Sequence, residues 1–201
     1  MRGIRTQKAE LRARILGARR KLTAAQREAA AMALMERVRG LPECSGQGAG
    51  KSTVAAYVSM GTEPGTGPLI DALLKSGTRV LLPVLLPDND LDWAEYQGAD
   101  ALARTGRGLF EPTGPRLGPE AVAHAGLILL PGLAVDARGV RLGRGGGSYD
   151  RVLARVRQAA AHPALVVLLY ADEVVASVPA EPHDHLVDAA LTPQGVHRFR
   201  G

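Results

Sequence analysis

The chain has 201 residues, 46% of them hydrophobic, and a formal net charge of +5. This is enough for one globular domain with a substantial core and too little for two, so we expect residues 1–201 to form a single domain. The first 22 residues are basic without an apolar segment, no apolar run reaches the length of a membrane span, and Cys44 is the only cysteine. We therefore expect a cytoplasmic protein without a signal peptide, a membrane anchor, a disulfide framework or a cysteine-based zinc site.

Two helices are predicted within the N-terminal 40 residues. Eleven of the 25 Lys and Arg residues lie there with only three of the 20 acidic residues, so the segment could attract an anionic partner or form a solvated basic face. At helical spacing, an apolar stripe is formed by Ile4, Leu11, Ile15 and Leu22. Lys8, Arg12 and Arg19 border this stripe, so their cations can reach into a cleft. Thr23 and Gln26 predict a capping box at the start of the second helix.

The segment GAGKST, residues 48–53, is similar to a nucleotide-binding P-loop. That pattern requires a glycine, four residues and then Gly-Lys-Ser/Thr, but Ser45 stands where the first glycine belongs. A P-loop also opens a helix, whereas residues 53–59 are β-branched and aromatic and predict a strand. We therefore expect a solvated loop that enters a strand, and no phosphate site, at this position.

From residue 53 onward, predicted strands alternate with predicted helices. The strands are expected at 53–59, 79–85, 90–96, 125–131, 163–171 and 186–192, and the helices at 67–77 and 149–162. Residues 125–131 are continuously apolar, as in a strand buried on both faces, and 90–96 predicts an edge strand. The alternation predicts an α/β fold: a single three-layer α/β/α domain around a mostly parallel sheet, with an N-terminal helical pair.

The best candidate for a phosphate site follows the predicted strand 125–131. A loop there contains Gly139, Gly143, Gly145, Gly146 and Gly147. A helix begins near Ser148, and its N-terminus together with bare backbone N–H groups favours phosphate. Arg141 and Arg144 add charge-assisted donors, and Asp150 in the first helical turn could hold a magnesium ion that bridges phosphates. A flexible glycine-rich turn is the alternative interpretation.

The run PGLAVDARGVRLGRGGGSYDRVL, residues 131–153, resembles the signature of the 5-formyltetrahydrofolate cyclo-ligase family, also called 5,10-methenyltetrahydrofolate synthetases. Four further segments resemble that family in the same order: KAELR at 8–12, YVSMGTEP at 57–64, GRGLFEP at 106–112 and VPAEPHDHLVD at 178–188. The resemblance spans nearly the whole chain. Ser148 departs from it, because the family usually has a tyrosine there; the hydroxyl is kept but an aromatic surface is lost.

The resemblance implies an ATP-dependent ligase that closes a ring within one molecule. Its substrate would be 5-formyltetrahydrofolate, with or without a polyglutamate tail, and its products 5,10-methenyltetrahydrofolate, ADP and phosphate. Transfer of the γ-phosphoryl group to the formyl oxygen would activate the formyl carbon for attack by the amine at position 10. ATP would be the co-substrate and Mg²⁺ the metal. We expect no nucleic-acid or membrane partner, and a monomer.

The resemblance also implies roles for individual residues. ATP would be bound by Lys8, Arg12, Arg141, Leu142, Gly143, Arg144, Gly145, Gly146, Gly147, Ser148 and Tyr149. The folate would be bound by Val58, Glu63, Arg144, Gly145, Gly146, Gly147 and Ser148, with Glu63 accepting paired N–H donors from the pterin ring. Asp150 and Asp184 would ligate magnesium. Arg144 and Tyr149 would be catalytic, Arg144 by stabilising charge in the transition state.

Three alternatives remain at this point. His183, Asp184 and His185 could form a transition-metal cluster, although the segment offers no third histidine or cysteine and we favour Asp184 as a magnesium ligand with both histidines as bystanders. The basic N-terminal helices could bind RNA, which would be salt-sensitive and independent of MgATP. A sugar-phosphate isomerase or deaminase could share the same architecture, with a phosphate loop but without ATP use.

Overall fold

The computed structural model describes residues 3–44, 52–182 and 184–199. His183 and residues 45–51, which include most of GAGKST, lie outside the described residues. Within the described part, the α-helices are α1 (Ile4–Arg20), α2 (Ala24–Val38), α3 (Gly67–Lys75) and α4 (Ser148–Gln158). The strands are β1 (Thr53–Ala55), β2 (Arg79–Leu85), β3 (Leu91–Glu95), β4 (Leu102–Arg104), β5 (Phe110–Pro112), β6 (Leu127–Pro131), β7 (Ala134–Val135), β8 (Arg141–Leu142), β9 (Ala164–Leu168), β10 (Ala189–Thr192) and β11 (Gly195–Arg198).

Seven of these strands form one sheet, in the order β11-β10-β9-β6-β1-β2-β3. The five inner strands are parallel, and the two edge strands, β3 and β11, pair antiparallel with their neighbours. One face is covered by apolar side chains of α2 and α3, including Leu34 and Leu69, and the other by α4, including Val152 and Val156. The predicted three-layer α/β/α architecture with a mostly parallel sheet is therefore confirmed.

Several element boundaries differ from those predicted. The first strand ends at Ala55, four residues early, and the last predicted strand begins only at Ala189. The sequence prediction also missed β11 and the two hairpins β4–β5 and β7–β8. These strands have two to four residues each, too short to show a hydrophobic alternation, and the outer residues of β11 and β4 are exposed.

Helix α1 packs against the β7–β8 hairpin rather than against the main sheet. Leu11 and Ile15 form an apolar cluster with the hairpin, while Ile4, predicted to extend the same stripe, is 41% exposed at the start of the helix. The Arg19 guanidinium is buried and donates to both carboxylate oxygens of Glu173 at 2.6 and 2.8 Å, and to the Gly132 carbonyl at 2.7 Å. This docking directs the cations of α1 toward the carboxyl edge of the sheet.

Two further predictions concern the helices themselves. The capping box at the start of α2 is present: the Gln26 N–H donates to the Thr23 hydroxyl, and the Thr23 N–H donates to the Gln26 side chain. Among the described residues, no helix combines the length and apolar character that crossing a membrane would require.

Candidate active site

The glycine loop lies between β8 and α4, directly above the carboxyl edge of the parallel strands. Gly145 and Gly147 have φ angles of 97° and 79°, in the left-handed region that side chains disfavour. Gly147 is the N-cap of α4 and offers no side chain to the first helical turn. The N–H groups at the start of α4 are therefore available to a ligand, and a helix N-terminus favours an anionic one.

A cavity of about 280 Å³ opens beside this loop. Its polar lining comes from Glu63, Arg141, Arg144, the glycine loop and Asp150. Its apolar lining comes from Val58, Met60, Pro83, Leu85, Leu91, Leu109 and Phe110. The cavity can therefore hold a ligand that carries both anionic and aromatic or aliphatic parts.

Arg141 is held rigidly at the base of the loop. Its side chain is only 6% exposed and donates to the Pro131 carbonyl and to the Asp150 carboxylate, both at 3.0 Å. Its Nε has no hydrogen-bond partner among the described residues. Burial lowers the pKa of Arg141 from its ordinary value, with Asp150 opposing the change, but a guanidinium stays protonated at any physiological pH. The buried Nε and the cationic charge make Arg141 a ready donor to an anion.

Two of the α1 cations, Lys8 and Arg12, contact other residues of the predicted phosphate site. The Arg12 Nε donates to the Gly143 carbonyl at 2.9 Å, and a Cβ at Gly145 would lie 3.5 Å from the Arg12 guanidinium carbon. The Lys8 amine donates to Asp184, at 2.8 and 3.0 Å, and to Glu181 at 2.9 Å. The structure thus brings Lys8, predicted to bind ATP, into contact with Asp184, predicted to ligate magnesium. Neither Lys8, Arg12 nor Asp184 is among the described residues that line the cavity itself.

Glu63 is fixed by its own turn. Its Oε2 accepts the Met60 N–H at 2.8 Å, and the Glu63 N–H donates back to the Met60 carbonyl. Its Oε1 lies 3.5 Å from the Arg144 Nε; the Glu63 side chain is 9% exposed and that of Arg144 49%. A carboxylate held in this way presents one oxygen to the cavity.

The remaining predicted residues are placed unevenly. Val58, Ser148 and Tyr149 line the cavity, whereas the Leu142 side chain is buried in the α1 cluster and its carbonyl accepts the Leu133 N–H. The Tyr149 hydroxyl is buried without a hydrogen-bond partner among the described residues, and burial raises its pKa. Tyr149 is therefore neutral at physiological pH, and a nucleotide contact by Leu142 would have to be made by its backbone.

Sequence reasoning missed the apolar wall of the cavity. Leu109 and Phe110 belong to the β4–β5 hairpin, which is tied to β2 by a hydrogen bond from the Leu85 N–H to the Glu111 carboxylate at 2.9 Å. Tyr57 is also a lining residue; its hydroxyl is buried without a described partner and burial raises its pKa well above the ordinary value. The GRGLFEP segment contains Leu109 and Phe110. This apolar pair directly after a glycine was the sequence feature that could have indicated the wall.

The protein is thus an α/β domain whose sheet is covered by helices on both faces. Its glycine loop is suited to bind an anion and lies beside an apolar pocket. The sequence model of the 5-formyltetrahydrofolate cyclo-ligase family matches residues 4–193. The chain therefore belongs to the 5-formyltetrahydrofolate cyclo-ligase family, a family of ligases.

Individual relatives agree with this assignment. The 5-formyltetrahydrofolate cyclo-ligase of Mycolicibacterium smegmatis is 42% identical over 192 residues, covering 93% of this chain and 94% of the relative. The Escherichia coli protein of the same name is 32% identical, covering 72% and 79%. The solution structure of 5,10-methenyltetrahydrofolate synthetase from Aquifex aeolicus has a TM-score of 0.79 at 29% identity, covering 96% of this chain and 93% of that one.

Proposed function

We propose that this protein catalyses the ATP-dependent cyclisation of 5-formyltetrahydrofolate to 5,10-methenyltetrahydrofolate, with release of ADP and phosphate, as a single domain over residues 1–201. Family membership supports the folate substrate. The observation that carries the proposal is one cavity lined both by the glycine loop with Arg141 and Arg144 and by the Glu63 carboxylate. The first set suits a triphosphate, and the second suits the N–H-rich edge of a pterin.

The proposed reaction has two steps. The formyl oxygen attacks the γ-phosphorus of ATP, so that a new O–P bond forms and the bond to ADP breaks. The amine nitrogen at position 10 then attacks the formyl carbon, loses its proton to solvent, and phosphate departs with the former formyl oxygen. Both steps depend mainly on positioning and on neutralising phosphate charge, which a loop of backbone donors and fixed cations can provide.

Each part of the loop has a proposed role. Lys8, Arg12 and Arg141 bind phosphates, together with the backbone from Gly143 to Tyr149. Arg144, half-exposed and on the loop nearest Glu63, stabilises the charge that moves between ATP and the formyl oxygen. Val58 packs against the folate, and the apolar hairpin residues Leu109 and Phe110 add further contact area.

Asp150 and Asp184 fit a magnesium ion that is bound together with ATP. The described residues contain no group of three or more His, Cys, Asp or Glu arranged to hold a metal by themselves, but magnesium in nucleotide sites is usually held by one or two carboxylates, phosphates and water. Both aspartates act electrostatically on Arg141 and on His185, whose pKa is lowered, chiefly by burial. A bound Mg²⁺ would neutralise phosphate charge at this end of the site.

The competing RNA-binding hypothesis finds less support. Three cations of the basic segment, Lys8, Arg12 and Arg19, are engaged with groups inside the fold. These internal contacts leave fewer cations of the segment for an extended nucleic-acid surface.

The direct test is an absorbance assay. The purified protein is mixed with 5-formyltetrahydrofolate, and the near-ultraviolet absorbance of the methenyl product is followed with and without MgATP. We expect a rise that requires both ATP and magnesium. A folded sample that binds ATP but gives no rise would show that the substrate is wrong while leaving the nucleotide site in place.

Magnesium dependence provides a sharper prediction for Asp184. Asp184→Asn should raise the Mg²⁺ concentration needed for half-maximal activity by roughly tenfold or more. Loss of a residue that supports a metal site typically weakens metal binding by this factor. It should also reduce ATP affinity in calorimetry only when Mg²⁺ is present. Asp172→Asn, at an exposed carboxylate outside the cavity lining, is the control and should match the wild type. Equal Mg²⁺ requirements for the two variants would remove Asp184 from the metal site.

A further inference from the structure

The Glu63–Arg144 pair joins two groups that the proposed reaction uses for different substrates. Glu63 would hold the pterin and Arg144 the transferring phosphoryl group, yet the Arg144 Nε lies 3.5 Å from the Glu63 Oε1. Both line the same cavity. Because the proposed folate-binding carboxylate contacts the proposed ATP-binding guanidinium, each substrate binds next to a residue that serves the other substrate.

Only one Glu63 oxygen is open to competition. Oε2 already accepts the Met60 N–H, whereas Oε1 faces Arg144. A pterin edge with paired N–H donors needs both oxygens of the carboxylate. Because each carboxylate oxygen can accept two N–H groups, the pterin can share Oε2 with the Met60 N–H, whereas on Oε1 it competes with the Arg144 guanidinium.

The surrounding groups do not replace Arg144 as the counter-ion of Glu63. Tyr57 and Tyr149 are neutral phenols whose pKa values are raised, chiefly by burial and further by the Glu63 charge. Arg19 also feels that charge, but its guanidinium is bonded to Glu173 and to the Gly132 carbonyl. Arg144 is thus the cation in contact with this carboxylate, and its side chain is half-exposed.

We propose that Glu63 is a positioning residue for Arg144: it holds the guanidinium away from the nucleotide until folate takes its place on Oε1, and the released Arg144 then turns to the phosphates. This inference rests on the proposed function. It makes the two substrates bind with positive coupling, because each relieves the contact that restrains the other. It also disfavours transfer of the phosphoryl group to water before folate has bound.

The size of the coupling follows from the exposure of the pair. Arg144 is half-exposed and the separation is longer than that of a hydrogen bond, so the contact is weak compared with a buried ion pair. We therefore expect the coupling at the low end of the usual range for linked sites, about fivefold in affinity.

The test measures the affinity of a non-hydrolysable ATP analogue, with Mg²⁺, by calorimetry. In the wild type, saturating 5-formyltetrahydrofolate should tighten binding of the analogue by about fivefold. Glu63→Gln, which keeps the shape but not the charge, should bind the analogue about as tightly without folate as the wild type does with it. Glu95→Gln is the matched control: this carboxylate pairs with Arg79, is not among the described residues that line the cavity, and should leave the coupling unchanged.

The outcomes separate the inference from the proposed function. A wild-type protein that binds the analogue but no folate would overturn the proposed substrate. Comparing the analogue affinities of Glu63→Gln and the wild type without folate would still test whether Glu63 restrains Arg144. Analogue affinity equal in wild type and Glu63→Gln would overturn the positioning role, even if the wild-type enzyme turns over folate normally.

Discussion

Arg144→Ala should lower kcat by about 10³-fold, the range seen when an arginine that stabilises a phosphoryl-transfer transition state is removed. Arg144 lies on the glycine loop with its side chain half-exposed at the cavity, and its contact with Glu63, at 3.5 Å, is longer than a strong hydrogen bond. Its removal should therefore disturb folding little. Because the proposed contact with moving charge forms mainly in the transition state, the loss should fall on kcat more than on the KM for ATP.

Two variants make this prediction specific. Arg151→Ala removes a second half-exposed arginine in the first turn of α4, where it donates to the Asp88 carbonyl at 2.9 Å rather than lining the cavity. Its kcat should stay within about twofold of the wild type, as for a surface substitution. Arg144→Lys should recover only part of the lost activity, because a lysine keeps the charge but not the planar fork of donors. Near-normal turnover by Arg144→Ala would remove it from the catalytic site.

The features of the site that could be predicted from sequence are those formed by residues close together in the chain. The glycine loop and the start of α4 are contiguous in the chain, and turn geometry and a helix N-terminus depend on neighbouring residues. The buried strand β6 could be recognised because side chains point to both faces of a strand, so a continuous apolar run indicates that both faces are covered. Lys8 and Arg12 could be placed near a cleft because they border an apolar stripe on one helix.

The contacts between these features could not be predicted in the same way. Lys8 meets Asp184 across 176 positions of sequence. Arg144 meets Glu63 because β1 and β6 are adjacent parallel strands, so the segments that follow them leave the sheet at the same edge. The hairpin that supplies Phe110 has three-residue strands, whose register is set by pairing rather than by a hydrophobic pattern. Long-range pairing therefore determines which side chains face the cavity.

The buried Arg19–Glu173 pair gives the largest expected effect on stability. Arg19→Ala should lower the free energy of unfolding by about 3–5 kcal/mol, because it leaves the Glu173 carboxylate buried without its cation. The two side chains are 1% and 5% exposed, and Glu173 also accepts the Tyr170 N–H. In a chain of this length the loss corresponds to a fall in Tm of about 10 °C, measured by thermal unfolding.

The surface pair Arg79–Glu95 provides the control. It has a similar contact, 3.0 Å from Nε to Oε2, but its side chains are 38% and 47% exposed. Water and salt screen such a pair, so Arg79→Ala should cost no more than about 1 kcal/mol. If Arg19→Ala proved no more costly than Arg79→Ala, the buried pair would not be a main source of stability.

The double variant Arg19→Met/Glu173→Leu distinguishes charge burial from hydrogen bonding. Replacing both partners leaves no unpaired charge, and buried ion pairs exchanged for apolar residues often lose little stability. The Gly132 carbonyl and the Tyr170 N–H would still lose their partners, at about 1 kcal/mol each. We therefore expect the double variant to recover about half of the stability lost in Arg19→Ala. A double variant as unstable as Arg19→Ala would show that the unpaired Glu173 carboxylate is not the main cause of the loss.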